Sequence, residues 1–95
     1  MNYDVLELVR NESKKRFELE VEGVVAFILY RSVNENILDL YHTEVPASLE
    51  GKGAGKALVE KTLQYCKTNH LQIIASCPFV AAYILRHPEW KAITV

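Results

Sequence analysis

Glycine stands at positions 51, 53 and 55, between a run that reads as a strand and a run that reads as a helix. No other part of the chain constrains its fold as strongly. Before the glycines, residues 37–45 read as a strand. After them, Ala57, Leu58, Val59, Thr62, Leu63 and Cys66 recur at helical spacing. A strand, a glycine loop and a helix in that order form an anion site. Glycine lets the backbone approach a phosphate closely, and the first N–H groups of a helix have no intrahelical partner. Lys52 and Lys56 add positive charge. The segment 50–56 is therefore the candidate grip for a phosphorylated cofactor.

The flanking pattern supplies the rest of the fold. Residues 5–9 form a short strand candidate, followed by a turn at Asn11, Glu12 and Ser13. Residues 16–21 alternate charge and hydrophobe, and Glu22-Gly23 makes a tight turn. Residues 24–30 are nearly all apolar, which predicts a central strand covered on both faces. A turn at Asn34, Glu35 and Asn36 leads into the strand 37–45, completing an antiparallel meander. The helix is expected from Gly53 or Gly55 to Lys67, ending near Asn69, with a buried strand at 72–76 after it. Strand, crossover helix and strand favour a parallel, right-handed pair. Pro78 suits the first turn of a second helix over 79–86, and Pro88 stops it. Phe79, Val80 and Ile84 are expected to face the sheet and Trp90 to cover the core, while 91–95 reads as an edge strand or a frayed tail. The fold class is α+β: a mixed sheet, with an antiparallel meander followed by strand, glycine loop, helix, strand and helix.

Ninety-five residues suit one domain, residues 1–95, which buries only about two-thirds of its unfolded surface. The formal charge of −1 argues against a nucleic-acid partner. Lys14-Lys15-Arg16, the one basic cluster, reads as the solvated start of a strand or as a contact to a cofactor's adenosine phosphate. No apolar run reaches the roughly twenty residues needed to span a bilayer, and the N-terminus lacks a signal-peptide profile. Cys66 and Cys77 then read as free thiols of a cytoplasmic protein, and no ligands at zinc spacing point to a metal.

A dinucleotide fingerprint needs Gly-x-Gly-x-x-Gly, and a P-loop needs Lys followed by Ser or Thr. This chain has Gly-x-Gly-x-Gly and Lys56-Ala57. Its order of elements instead resembles the GNAT superfamily of acyl-CoA N-acyltransferases, whose loop is written Gln/Arg-x-x-Gly-x-Gly/Ala. Glu50 departs from that first position, while Gly53 and Gly55 match. Val45-Pro46, Leu49-Glu50-Gly51-Lys52-Gly53, Cys77-Pro78-Phe79-Val80 and Arg86-His87-Pro88-Glu89-Trp90 narrow the likeness to the short YjdJ-type, N-acetyltransferase-domain group. It runs from Glu20 to Trp90. The group lacks the N-terminal helices that shape the acceptor site in larger relatives.

The resemblance implies a minimal GNAT-like fold in which the strands flanking the long helix are parallel and splayed. It implies acetyl-CoA (coenzyme A) as cofactor and an unidentified amine or protein as acceptor. Gly51, Lys52, Gly53, Ala54, Gly55 and Lys56 would hold the diphosphate, and the main chain of Thr43, Glu44 and Val45 the pantetheine arm. Glu50 could cap the loop or pair with Lys52 or Lys56. Cys77, next to a helix start that favours thiolate, is a candidate acyl acceptor. His42 and Glu44 share a strand face and are a candidate base pair, each also read as an exposed polar residue. Tyr83 matches the superfamily's thiolate-protonating tyrosine, although Ser76 stands where that pattern has asparagine. The expected function is acetyl transfer from acetyl-CoA to an amine by a monomer or weak homodimer. The alternatives are an acyl-CoA-binding module with little catalysis and an adaptor that keeps only the fold.

Overall fold

The computed structural model describes residues 2–95. Five strands form one sheet in sequence order: β1 (Val9–Asn11), β2 (Arg16–Val21), β3 (Val24–Asn34), β4 (Ile37–Glu44) and β5 (Gln72–Ala75). The first three pairings are antiparallel, and β4 pairs with β5 in parallel. The helix α1 (Ala54–Thr68) makes the crossover, and α2 (Pro78–Arg86) follows β5. Short 3-10 turns lie at Tyr3–Val5, Ala47–Leu49 and Pro88–Ile93. The chain thus has the α+β architecture expected of it.

One face of the sheet carries the core. Phe17, Leu19, Val21, Ala26, Ile28, Tyr30, Leu38, Leu40 and Ile73 are buried against Leu58, Val59, Leu63 and Cys66 of α1 and Val80 and Ile84 of α2. β3 is not covered on both faces as expected. Ala26, Ile28 and Tyr30 lie under the helices, whereas Val25, Phe27 and Leu29 are only half-buried on the open face. There Arg16 lies over the Phe27 ring and Arg31 over the Tyr41 ring, each 4.3 Å from the centroid. The guanidinium stems shield the apolar face without a second helical layer.

The local signals explain the element ends. Glu22 and Gly23 both have positive φ, as a two-residue hairpin turn of matching twist requires. α1 ends in a Schellman arrangement. His70 adopts a left-handed conformation, its N–H bonds to Lys67 O, and the Leu71 N–H bonds to Cys66 O at 2.8 Å. Leu71 is buried beside that turn. Pro78 occupies the first position of α2, where its missing N–H costs nothing.

The N-terminal strand is displaced from its expected place. Residues 3–5 form a 3-10 turn, and pairing starts only at Val9. Leu6 and Leu8 pack on the core from outside the sheet, so their alternation reflects burial without a strand partner. Strand pairing also continues through Asn11, where a turn was expected. At the other end, the turn Pro88–Ile93 replaces most of the expected edge strand, leaving one parallel bridge between Thr94 and Ile73. Among the described residues no helix is long and apolar enough to cross a membrane.

Candidate functional site

The register of β3 and β4 shifts between Leu29 and Tyr30, so that Tyr41 is an extra residue on β4. The bulge changes which side chains face the helices beyond it. Leu40 pairs with Tyr30 and Thr43 with Ile28, so both point to the helical face. His42 pairs with Leu29 and Glu44 with Phe27, and both point to the open face. At the same level β4 and β5 part. Their pairing ends at Leu40 and Ala75, and the Cys77 N–H bonds to Leu40 O at 2.9 Å as the chain turns into α2. β4 continues past this point with β3 alone, which opens a V between Thr43–Val45 and the start of α2.

A cleft of about 520 Å³ occupies the mouth of that V. Thr43, Glu44, Val45, Glu50, Gly51, Gly53, Ala54, Gly55 and Lys56 line it, together with Leu49 and Phe79. The loop is held from below. Leu49 is buried, and the Lys52 N–H reaches back to Leu49 O. Gly51 and Gly53 have φ of +76° and +83°, a region that other residues enter only at a cost. Among the described residues, no carbonyl or side chain accepts from the amides of Gly51, Gly53, Ala54, Gly55 or Lys56. Gly53 is the N-cap and has no side chain to satisfy them. The result is a run of free amide donors at a fifteen-residue helix start, opening on the cleft.

Gly55 serves a different purpose. A Cβ built there would lie 2.8 Å from Phe79 Cζ and 3.2 Å from Val45 Cγ2. Its lack of a side chain lets α1, α2 and the end of β4 meet at one point. Phe79 was expected to face the sheet. It lies off the buried stripe of Val80, Tyr83 and Ile84, is 47% exposed, and forms part of the cleft wall.

The remaining candidates are divided between the two faces. Cys77 caps α2, is 4% exposed, and sits with its Sγ 3.2 Å from Thr43 Oγ1. His42 Nε2 lies 3.9 Å from Glu44 Oε1, with both side chains about half exposed. The bulge keeps His42 away from Cys77, and it approaches the cleft only through Glu44. Tyr83 does not line the large cleft. It lines a neighbouring cavity of about 180 Å³ with Lys56, Phe79, Ala82, Arg86 and His87. Burial, followed by the nearby charge of Glu60, pushes its phenol up from the ordinary tyrosine value and keeps it protonated. Glu50 lines the cleft without an ion pair to Lys52 or Lys56. Lys14, Lys15 and Arg16 do not line it, and Arg16 is bonded to Glu18.

Sequence reasoning missed Tyr3. Its hydroxyl donates to Lys52 O at 2.6 Å, and its ring lies 3.6 Å from where a Cβ on Gly53 would be. The N-terminal turn thus props the glycine loop from behind. A contact between residues 49 positions apart leaves no local pattern to read.

A family model described as GCN5-related N-acetyl-transferase matches residues 16–93. The chain belongs to this GCN5-related N-acetyltransferase family. Among solved structures, it is similar to the NMR structure of a GCN5-like protein from Staphylococcus aureus, described as a candidate N-acetyltransferase. The TM-score is 0.70 at 29% identity, covering 97% of this chain and 90% of the other. Among curated proteins, it is 30% identical to human Protein NATD1 over 79% of this chain and 68% of that protein. It is 27% identical to chicken Protein NATD1 over 87% of this chain and 77% of that protein. The matched span takes in the V, the glycine loop and both helices, so the features that define the cleft belong to the GCN5-related part of the chain.

Proposed function

We propose that residues 1–95 make one acetyl-CoA-binding domain that transfers the acetyl group to an amine, on a small molecule or a protein. The free amides of Gly51 and of residues 53–56, opening into a cleft beside a splayed strand pair, carry this reading. The residues fit an anionic cofactor. The Gly51, Gly53, Ala54, Gly55 and Lys56 amides would donate to a diphosphate, and Lys52 and Lys56 would add charge. The main chain of Thr43, Glu44 and Val45 would hold the pantetheine arm. Bound acetyl-CoA supplies a thioester carbonyl open to attack by an amine.

The chain's own groups then manage protons. On the open face, His42 and the Glu44 carboxylate lie 3.9 Å apart and are the pair that relieves the amine of its proton. Tyr83, held protonated by burial, is the acid nearest the second wall. Cys77 is the acceptor in a covalent variant of the transfer, which requires its contact with Thr43 to open.

A second reading has one observation in its favour. Among the described residues no histidine lines the large cleft, and Cys77 is almost wholly buried. An acyl-CoA-binding module with little turnover would look the same. Two measurements divide the readings. Acetyl-CoA titrated against amide chemical shifts is expected to move residues 51–56, and no movement there defeats both. An amine panel followed by thiol release is expected to give turnover above hydrolysis, and its absence leaves the module. Acetyl-CoA incubation and intact mass then test Cys77: an equal adduct on Cys77→Ala removes it from the reaction.

A further inference from the structure

The carbonyl of Lys52 receives no backbone N–H among the described residues, although a regular helix would give it that of Lys56, four positions on. Its partner is the Tyr3 hydroxyl, which donates to it at 2.6 Å. This carbonyl and the Gly53 N–H belong to one peptide unit. Among the described residues no peptide bond is cis, and in a planar trans unit the C=O and the N–H point in opposite directions. Tyr3 does not line the cleft, whereas Gly53 does. A bond that fixes the carbonyl on the Tyr3 side therefore aims the Gly53 N–H the other way, where it has no partner in the protein. The same bond polarises the peptide and makes its N–H a stronger donor.

Tyr3 can act in this way because its own segment is anchored. Tyr3–Val5 form a 3-10 turn capped by Asn2, whose side chain accepts from the Asp4 N–H at 3.0 Å. Leu6 and Leu8 then tie the segment to the core. The Tyr3 ring packs beside Gly53, 3.6 Å from where a Cβ would stand. The loop needs such a hold, because Gly51 and Gly53 leave its backbone with more freedom than other residues would. We infer that Tyr3 is a positioning residue for the anion loop: by holding Lys52 O it aims and strengthens the Gly53 N–H that would meet the diphosphate. It touches neither cofactor nor acceptor. This rests on the cofactor reading above and extends the site to a segment that precedes the matched span 16–93.

Tyr3→Phe tests it, since it keeps the ring and deletes the hydroxyl. Acetyl-CoA and inorganic pyrophosphate are titrated into the native chain and the variant and followed by amide shifts. Both ligands are expected to bind the variant about fivefold more weakly, the effect of one hydrogen bond. In the free variant the Gly53 amide should shift while those of Gly55 and Lys56 stay in place, a local change that a general loss of packing would not produce. Unchanged affinity for both ligands overturns the role of Tyr3 and leaves the cofactor reading standing. A loss for acetyl-CoA with none for pyrophosphate also overturns it, because Tyr3 would then act away from the diphosphate amides. If the native chain binds pyrophosphate and not acetyl-CoA, and Tyr3→Phe still weakens it, the positioning role stands and the cofactor reading falls. Binding of neither ligand to the native chain overturns both.

Discussion

Thr43 Oγ1 and Cys77 Sγ lie 3.2 Å apart, joining β4 to the first residue before α2 across the base of the V. The bulge at Tyr41 makes this contact possible, because it turns Thr43 toward the helices where unbroken alternation would have turned it away. The same step sends His42 to the open face. One inserted residue therefore decides which polar side chains of β4 meet the cleft's inner end.

The two thiols should react in a fixed order. Cys66 is wholly buried, and burial pushes its thiol up to about 12, so almost no thiolate forms near neutral pH. Cys77 retains slight exposure and a helix start beside it. Limited iodoacetamide is expected to label Cys77 and leave Cys66 intact until the chain unfolds. Thr43→Val, which removes the hydroxyl, should change the Cys77 rate alone. Peptide mass mapping reads both sites, and equal labelling of the native protein would contradict the burial of Cys66.

Gly53 should resist substitution for reasons of backbone and not of space. Its φ is +83°, and a Cβ there would make only an ordinary 3.6 Å contact with Tyr3. Alanine in that region costs about 1–2 kcal/mol. Gly53→Ala is expected to lower the unfolding free energy by that amount, read as a lower urea midpoint at unchanged slope. Affinity for acetyl-CoA should fall by about tenfold, since a strained loop no longer aims its amides. Unchanged affinity would show that these amides do not hold the cofactor.

Much of this was readable from residue types. The helix 54–68, its glycine start and Asn69 stop, the turn at Glu22-Gly23 and the parallel crossover all follow from local patterns. The glycine loop 51–56 follows from the same signals and 43–45 only from the resemblance to the GNAT superfamily; all of these but Lys52 line the cleft. The rest depends on tertiary partners. Leu6 and Leu8 alternate like a strand yet find the core without a ladder. The bulge at Tyr41 has no glycine or proline to announce it. Phe79 is apolar but one position off the stripe formed by Val80, Tyr83 and Ile84, and a helix beginning at Pro78 turns it to the cleft.

Arg10 should be the main clamp between β1 and α1. Its guanidinium lies 5.1 Å from the Tyr30 ring centroid and 5.8 Å from those of Phe17 and Tyr65. Its Nε donates to the Tyr30 hydroxyl at 3.1 Å and its Nη1 to that of Tyr65 at 3.3 Å. Arg10→Ala is expected to cost about 1–3 kcal/mol by urea unfolding, the sum of a partly desolvated cation–π contact and its bonds. Arg10→Lys should recover only part of this, since a lysine cannot reach both hydroxyls with a planar fork. Full recovery would mean that charge alone holds the strand.

Stability should decline at both ends of the pH scale through different groups. At the acid end, the hydrogen bond from Arg16 holds the Glu18 carboxyl below its ordinary 4.5, against opposing burial and with help from Asn11. The unfolded chain then takes up this proton more readily, so the contribution is present above pH 4.5 and lost as pH falls below it. Glu18→Gln should flatten that limb. At the alkaline end, Cys66 keeps its proton up to about 12 when folded, against 9.0 as the ordinary value. Its contribution is complete below pH 9.0 and is lost progressively as pH rises toward 12. The slope is at most ~1.4 kcal/mol per pH unit for the one proton released on unfolding. Tyr83, also raised by burial, acts in the same direction above its ordinary 10.0, so removing Cys66 leaves part of the decline. Urea midpoints across the alkaline range are therefore expected to fall less steeply in Cys66→Ala than in the native sequence, although the cavity lowers both limbs. An identical slope in the two proteins would mean that the Cys66 thiol ionises as readily in the folded chain as in the unfolded one.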